Sequence, residues 1–304
     1  MGGSPVNRVL ILDKPKEITS YDCIRELKPL LEKGTKIGHA GTLDPMATGV
    51  LPILLGKATK LFDLFSGSGK TYIGEMKLGL RTDTADITGT VIEEKLPSRL
   101  TSDELTAAFE IFVGGYLQTP PLFSAKRKEG KRFYDLARDE EEPLEEGLLP
   151  DPEFVELFSY HLYDYDASAH TILFSIDVGR GFYVRSFVED VARELGELAT
   201  LSSLRRVKAG YFSLDKAVNM DSIETRGDIE RLSISLEEAT EALPTLIVND
   251  DMARKVAHGG KLKTDVFNEI SGFVRIVNKS NKVLAIGFSE MGNFKYHVVL
   301  GDDA

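Results

Sequence analysis

The 304-residue sequence predicts an α+β protein in two parts. Residues 71–78 and 171–178 alternate apolar and polar in the manner of half-buried strands. Residues 102–113 and 184–195 repeat apolar side chains at helical spacing. From about Pro244 the texture changes to short strands joined by Asn-Lys-Ser-Asn and Met-Gly-Asn turns, a small all-β module of roughly 60 residues.

Each element follows from its own residues. Val9-Leu10-Ile11-Leu12 forms a short apolar strand, closed by Asp13-Lys14-Pro15 where proline ends the pairing. Thr19 and Asp22 have capping-box spacing. They open a helix with Ile24, Leu27, Leu30 and Leu31 on one face, ending near Gly34. Residues 50–55 read as a buried segment and 58–65 as a short helix. Before them lies GHAGTLDPMATGVL, residues 38–51, with Asp44 among three glycines and a proline and His39 as its only other ionisable side chain. Glycine permits φ > 0 and close approach of a ligand, and Asp-Pro favours turn initiation. A lone acid so presented suits a nucleophile, a general base, or a helix N-cap with Pro45 at the first helical position. Spacing alone favours the cap.

Residues 67–71 (GSGKT) fail as a P-loop. Leu64 stands where the pattern needs its first glycine, and a strand follows instead of a helix. That strand places Tyr72, Gly74, Met76 and Leu78 on one face. Residues 81–89 are a polar loop rich in Asp and Thr, suited to Asx- and ST-turns. The helix at 102–113 is apolar on Leu105, Ala108, Phe109 and Phe112. Pro120-Pro121 and the basic cluster Lys126-Arg127-Lys128-Glu129-Gly130-Lys131-Arg132 come next, and residues 133–138 read as helical. Residues 139–156 hold nine acids and no base, and read as an exposed loop or insertion. Gly179-Arg180-Gly181 ends the strand at 171–178. The following helix carries Val184, Phe187, Val188, Val191, Ala192 and Leu195 inward, with Tyr183 and Arg185 at its first turn. Arg185, Glu189 and Arg193 fall on its polar face, where the plain role of Arg185 is an i,i+4 pair with Glu189.

Composition narrows the chemistry. The net charge is −11, yet without residues 139–156 there are 39 acids against 37 bases. Basic surface remains at residues 126–132, at Arg205-Arg206-Val207-Lys208 and at 254–263, and phosphate binding needs only local basic surface. Read plainly, each cluster is a solvated face. One cysteine, Cys23, excludes intramolecular disulfides and cysteine-based zinc sites. The five histidines lack metal spacing, and HExxH, GxSxG and a strand-following GxGxxG are absent. No apolar run approaches the roughly 18 residues of a membrane span. The N-terminal sequence lacks the regions of a signal peptide, so the expected location is the cytoplasm. One acid, two tyrosines, an arginine and local basic surface suit acid–base or nucleophilic chemistry on an anionic, planar, stackable substrate.

The chain resembles the TruB family of pseudouridine synthases, which isomerise the T-loop uridine at position 55 of tRNA. The resemblance covers about residues 8–245 and is carried by four ordered segments: LILDKPKEITS, GHAGTLDPMATGVLPILLGKATK, KTYIGEMKLGLRTDTADITGTV, and GRGFYVRSFVEDVARELG followed by SSLRR. The stretch PPLFSAKRKEGKRFYDLAR is similar to a further family block. It implies a pseudouridine synthase fold with a mixed, largely antiparallel central sheet over residues 1–243. A PUA-like RNA-binding β-barrel is implied over 244–304. Asp44 falls on the essential aspartate, and Tyr72 on the tyrosine that stacks on the target base and is implicated in removing the C5 proton. Arg185 falls on the arginine that pairs with the aspartate, and Tyr183 on another active-site tyrosine. His39 matches the histidine associated with the flipped-out nucleotide, Leu204 lines the uracil pocket, and Lys14 and Pro15 belong to a motif supporting the active-site loop. Lys126, Arg127, Lys131, Arg132 and Arg205 are expected to meet RNA phosphates.

These roles are physically coherent. The reaction cleaves the C1′–N1 bond, rotates the uracil and rejoins it through C5, with no net redox change and no need of a cofactor or metal. An aspartate can attack C6 of the base or C1′ of the sugar, or remove a sugar proton. A neighbouring guanidinium keeps a carboxylate charged. Stacking a base on an aromatic ring contributes about 1–3 kcal/mol, against a few kcal/mol for flipping it out. The acidic segment departs from the family pattern, in which a short and often basic connection follows; it is expected to project away from RNA. Phe123 stands where the family often has Tyr. The expected partner is the tRNA elbow, held by a monomer. Two alternatives are an RNA-binding or folding module with secondary catalysis, and a glycosidase-like enzyme, which normally needs a second carboxylate.

Overall fold

The computed structural model describes residues 6–121, 127–128, 131–132, 150–262 and 265–301. Residues 133–138, expected as helix, lie outside that set, as do Phe123, Lys126, Lys263 and the 139–149 part of the acidic segment. The chain divides into two compact units. One gathers residues 1–45, 49–68 and 209–304, and the other residues 46–48 and 69–208.

In the first unit the apolar run near the N-terminus becomes the strand Arg8–Lys14. It pairs antiparallel with Thr48–Leu55, from Arg8 opposite Leu55 to Lys14 opposite Gly49. Val218–Asn219 joins it in parallel and Ile234–Ser235 antiparallel, so the pairing is mixed. Ile37–His39 lines the other side of Thr48–Leu55. Thr19 caps the helix Ser20–Leu27 through a complete capping box with Asp22. The helix then tightens into a 3-10 turn, Lys28–Leu30. Pro29, which lacks an N–H to continue the ladder, accounts for an end earlier than Gly34.

The C-terminal strands form a four-stranded sheet in the order Thr245–Ile247, Gly272–Val277, Val283–Glu290, Asn293–Val299. The first pair is parallel and the others antiparallel. Among the described residues this sheet is open, with no pairing of its first and last strands, where a closed barrel was expected. Nor is the module all-β, because Asn249 caps a helix, Asp250–Ala257. Its strand residues alternate between two cores. Ile276 packs with Val248, Val256 and Leu284, whereas Val277, Val283, Ile286 and Leu300 join Val9, Ile11 and Leu54.

In the second unit four long strands lie in the order Leu157–Asp166, Thr171–Val178, Lys70–Leu78, Ala199–Ala209. The first two pairs are antiparallel, with Ile172 opposite Met76 and Ile176 opposite Tyr72. Gly74 faces Phe174, whose ring would lie 2.7 Å from an added Cβ, so glycine is the residue that lets this ring lie flat on the strand. Helices Ser102–Glu110 and Val184–Glu194 cover the sheet through Phe109, Phe174 and Phe187, whose rings meet edge-on at 5.4–6.1 Å.

Three expectations about polar residues change. The acidic segment is not loop throughout, since Glu153–Val155 pairs with Tyr116–Gln118 and buries Val155. Arg206 is buried rather than part of a solvated face. Arg185 is also buried, and Arg193 pairs with Asp190 at 2.8 Å. Alternation on Ala199–Ala209 explains Arg206, which shares the inward parity of Leu204. No described helix is long and apolar enough to cross a membrane.

Candidate active site

Asp44 does not cap a helix. Pro45 and Met46 form a turn, and the chain then enters the strand Thr48–Leu55. The spacing that favoured a cap is overridden because Gly49 (φ 106°) turns the chain into that strand. The half-buried Asp44 is flanked on both sides by fixed backbone. On one side, the buried Ser20 hydroxyl donates to the Leu43 carbonyl (3.0 Å) and accepts from the Leu43 N–H (2.8 Å). On the other, the Pro45 carbonyl accepts from the Glu17 N–H (2.8 Å) and from Lys14 Nζ (3.3 Å).

Lys14 is completely buried, and its ammonium also donates to the carbonyls of Pro15 and Ile18, each at 2.7 Å. A buried ammonium is tolerable when its protons are matched by acceptors. Its ammonium ties the segment 15–18 to the Asp44 turn. Glu17 adopts φ 74°, a left-handed conformation rare for a non-glycine residue, in the same segment whose N–H reaches Pro45. His39 ends the strand Ile37–His39 opposite Ile53, half-buried.

The second unit carries the other candidates. Tyr72 is 6% exposed on Lys70–Leu78, and Leu204 is 8% exposed on Ala199–Ala209. Tyr183, at the N-cap of Val184–Glu194, is half-buried. Arg185 Nη1 donates to the Thr84 carbonyl at 2.9 Å. Thr84 lies in the polar loop read from sequence as Asx- and ST-turns. There the Asp86 carboxylate accepts from the Thr88 N–H (2.9 Å), the Thr88 hydroxyl (2.5 Å) and the Thr84 hydroxyl (3.1 Å). Arg205 is half-buried, with Nη1 donating to the Thr48 hydroxyl at 3.1 Å. Arg127-Lys128 and Lys131-Arg132 form a two-stranded pair with Arg127 opposite Arg132.

Three supporting residues escaped the sequence reading: Ser20, Thr84 and Gln118. Ser20 and Gln118 are uncharged and act through backbone atoms far along the chain, so no spacing announces them. At Lys70, the lysine of the rejected GSGKT pattern, burial with Arg206 and Arg180 nearby pulls the ammonium's pKa down to about 8. Among the described residues, no three His, Cys, Asp or Glu side chains cluster as a metal site.

Residues 28–184 match the TruB family pseudouridylate synthase N-terminal domain. The tRNA pseudouridine synthase B of Lactobacillus johnsonii is 38% identical over 85% of this chain and 87% of its own. That of Geobacillus thermodenitrificans is 34% identical over 91% and 93%. Among solved structures, a Cbf5-Nop10-Gar1 complex superposes with a TM-score of 0.70 at 23% identity, covering 98% of this chain and 87% of that one. An H/ACA RNP bound to a substrate RNA containing 2′-deoxyuridine gives 0.68 at 23%, covering 93% and 78%. These likenesses show a shared fold. The chain belongs to the TruB family of pseudouridine synthases, and it is an isomerase.

Proposed function

We propose that this enzyme converts uridine to pseudouridine in tRNA, at position 55 of the T-loop. The observation that carries this reading is the match to tRNA pseudouridine synthase B relatives across 85–91% of the chain. Asp44 is the reacting carboxylate. Tyr72 offers its ring to the uracil and takes part in removing the C5 proton. Arg185 pairs with Asp44 and holds it charged. Tyr183, His39 and Leu204 receive the extruded nucleotide, and Lys126, Arg127, Lys131, Arg132 and Arg205 meet phosphates. The C-terminal sheet acts as a PUA-like RNA-binding module, the acidic segment projects away from the RNA, and the enzyme works as a cytoplasmic monomer.

The chemistry needs only what the side chains supply. The C1′–N1 bond breaks, C1′–C5 forms, N1 gains a proton and the C5 proton leaves to solvent. Extruding the uridine costs a few kcal/mol, offset by aromatic stacking and phosphate contacts. Affinity therefore falls as salt rises.

Tritium release from a tRNA transcript labelled with [5-³H]uridine tests the reading. Wild type releases tritium, and Asp44→Asn loses at least about a thousandfold in rate while still binding the transcript, the scale of removing an essential reacting group. Binding without release by wild type would indicate a folding module, and free uracil a glycosidase.

A further inference from the structure

Gln118 is 1% exposed, and among the described residues its side-chain amide makes three hydrogen bonds. Its Oε1 accepts from the Tyr183 N–H at 2.8 Å, and its Nε2 donates to the Tyr183 carbonyl at 3.0 Å. Nε2 also donates to the Tyr116 hydroxyl at 2.7 Å, which donates in turn to Asp190 at 3.0 Å. One amide thus grips both polar atoms of a single residue's backbone, as a neighbouring strand would. That residue is the N-cap of Val184–Glu194, where no side chain of its own caps the helix. Its carbonyl already accepts the first helical bond, from the Phe187 N–H at 3.1 Å. The dihedrals of Tyr183 decide how the helix begins and hence where the Tyr183 ring and the Arg185 guanidinium stand, two residues apart.

The surroundings reinforce this geometry. Burial raises the Asp190 carboxyl, and burial beside that carboxylate pushes the Tyr116 phenol far up. Tyr116 therefore stays protonated and keeps its donor role. One turn further on, the Ser186 hydroxyl donates to the Thr119 carbonyl at 2.8 Å. This second tie holds the same two segments without touching Tyr183.

We propose that Gln118 is a positioning residue for the isomerisation: its amide fixes the Tyr183 backbone, and so aims Tyr183 and Arg185 at the uridine. The inference rests on the roles given to those two residues above. A small misplacement of groups that act in the transition state costs up to about a hundredfold in rate, while ground-state binding by the rest of a large RNA surface is kept.

Steady-state tritium release, measured for wild type, Gln118→Met and Ser186→Ala, tests it. Gln118→Met keeps the length and removes the amide; kcat is expected to fall about 10- to 100-fold with KM for the transcript within threefold. Ser186→Ala, which leaves the Gln118 clamp whole, is expected to stay within threefold of wild type in both constants. Gln118→Glu keeps an acceptor for the Tyr183 N–H but has no donor for its carbonyl when ionised. It is judged by the same split, and carries the test should Gln118→Met fail to melt cooperatively. An unchanged kcat in the folded Gln118 variants overturns the proposal, as does an equal fall in Ser186→Ala or a change confined to KM. Absence of release by wild type overturns the proposed function instead, so the two failures are told apart.

Discussion

The loop carrying Asp44 and the helix turn carrying Arg185 are both held by buried side chains that grip backbone atoms, but with different chemistry. At Asp44 the grip is ionic on one side: a fully buried ammonium faces three carbonyls, and a serine hydroxyl closes the other flank. At Arg185 it is neutral, with an amide on Tyr183 and the Thr84 carbonyl receiving the guanidinium. A buried charge is held in place by the full cost of leaving its acceptors unmatched. A neutral clamp supplies direction at smaller cost. The first arrangement ties loop position to stability, and the second allows position to change while the fold survives.

That contrast can be broken in order of effect. Lys14→Met leaves carbonyls of Pro15 and Ile18 without their buried donor. It is expected to destabilise by about 3 kcal/mol, the scale of hydrogen bonds to a charged group, with activity falling alongside. Urea unfolding measures this, and a loss under about 0.5 kcal/mol, within the range of ordinary surface changes, would remove the ionic half of the comparison. Ser20→Ala removes one hydroxyl that both donates to and accepts from Leu43, and is expected to lower stability by about 1–2 kcal/mol in the same experiment. If it proves costlier than Lys14→Met, the hydroxyl rather than the ammonium anchors the Asp44 loop.

The smallest effect concerns Lys70, whose lowered proton affinity sharpens the point about buried charge. Below about pH 8 its ammonium is charged in both folded and unfolded chains, and the folded state bears the cost. Between about 8 and the ordinary lysine value the folded chain releases its proton first. The unfolded chain then binds more protons, so stability rises with pH. The melting temperature of wild type should therefore gain on that of Lys70→Met between pH 7 and pH 10. A pH-independent difference would contradict it.

Local grammar was legible in the sequence, and partnership was not. The capping box at Thr19, the alternation of Thr171–Val178 and the stripe of Val184–Glu194 depend on residues within a few positions, and the structure keeps all three. Arg185 looked like a member of an exposed ion pair because Glu189 lies four residues on. Its guanidinium reaches the carbonyl of Thr84, 101 positions away. Asp44-Pro45 looked like a cap for the same reason: the strand pairing of Gly49 with Lys14 that redirects the chain is not written nearby. Candidate site residues emerged through the ordered family segments. Their supports, Ser20 and Gln118, are ordinary residues whose importance comes only from what they reach.

The shared core of the first unit bears on how the protein is made. Val9, Ile11 and Leu54, near the start of the chain, bury against Val277, Val283, Ile286 and Leu300. Lys57 Nζ holds the Leu300 carbonyl at 2.7 Å. During synthesis the strand Arg8–Lys14 must wait for residues 277–300 before this core can close. An interruption of translation near Pro244 would leave those early apolar side chains uncovered. Strands far apart in the sequence thus share one core, and neither covers it alone.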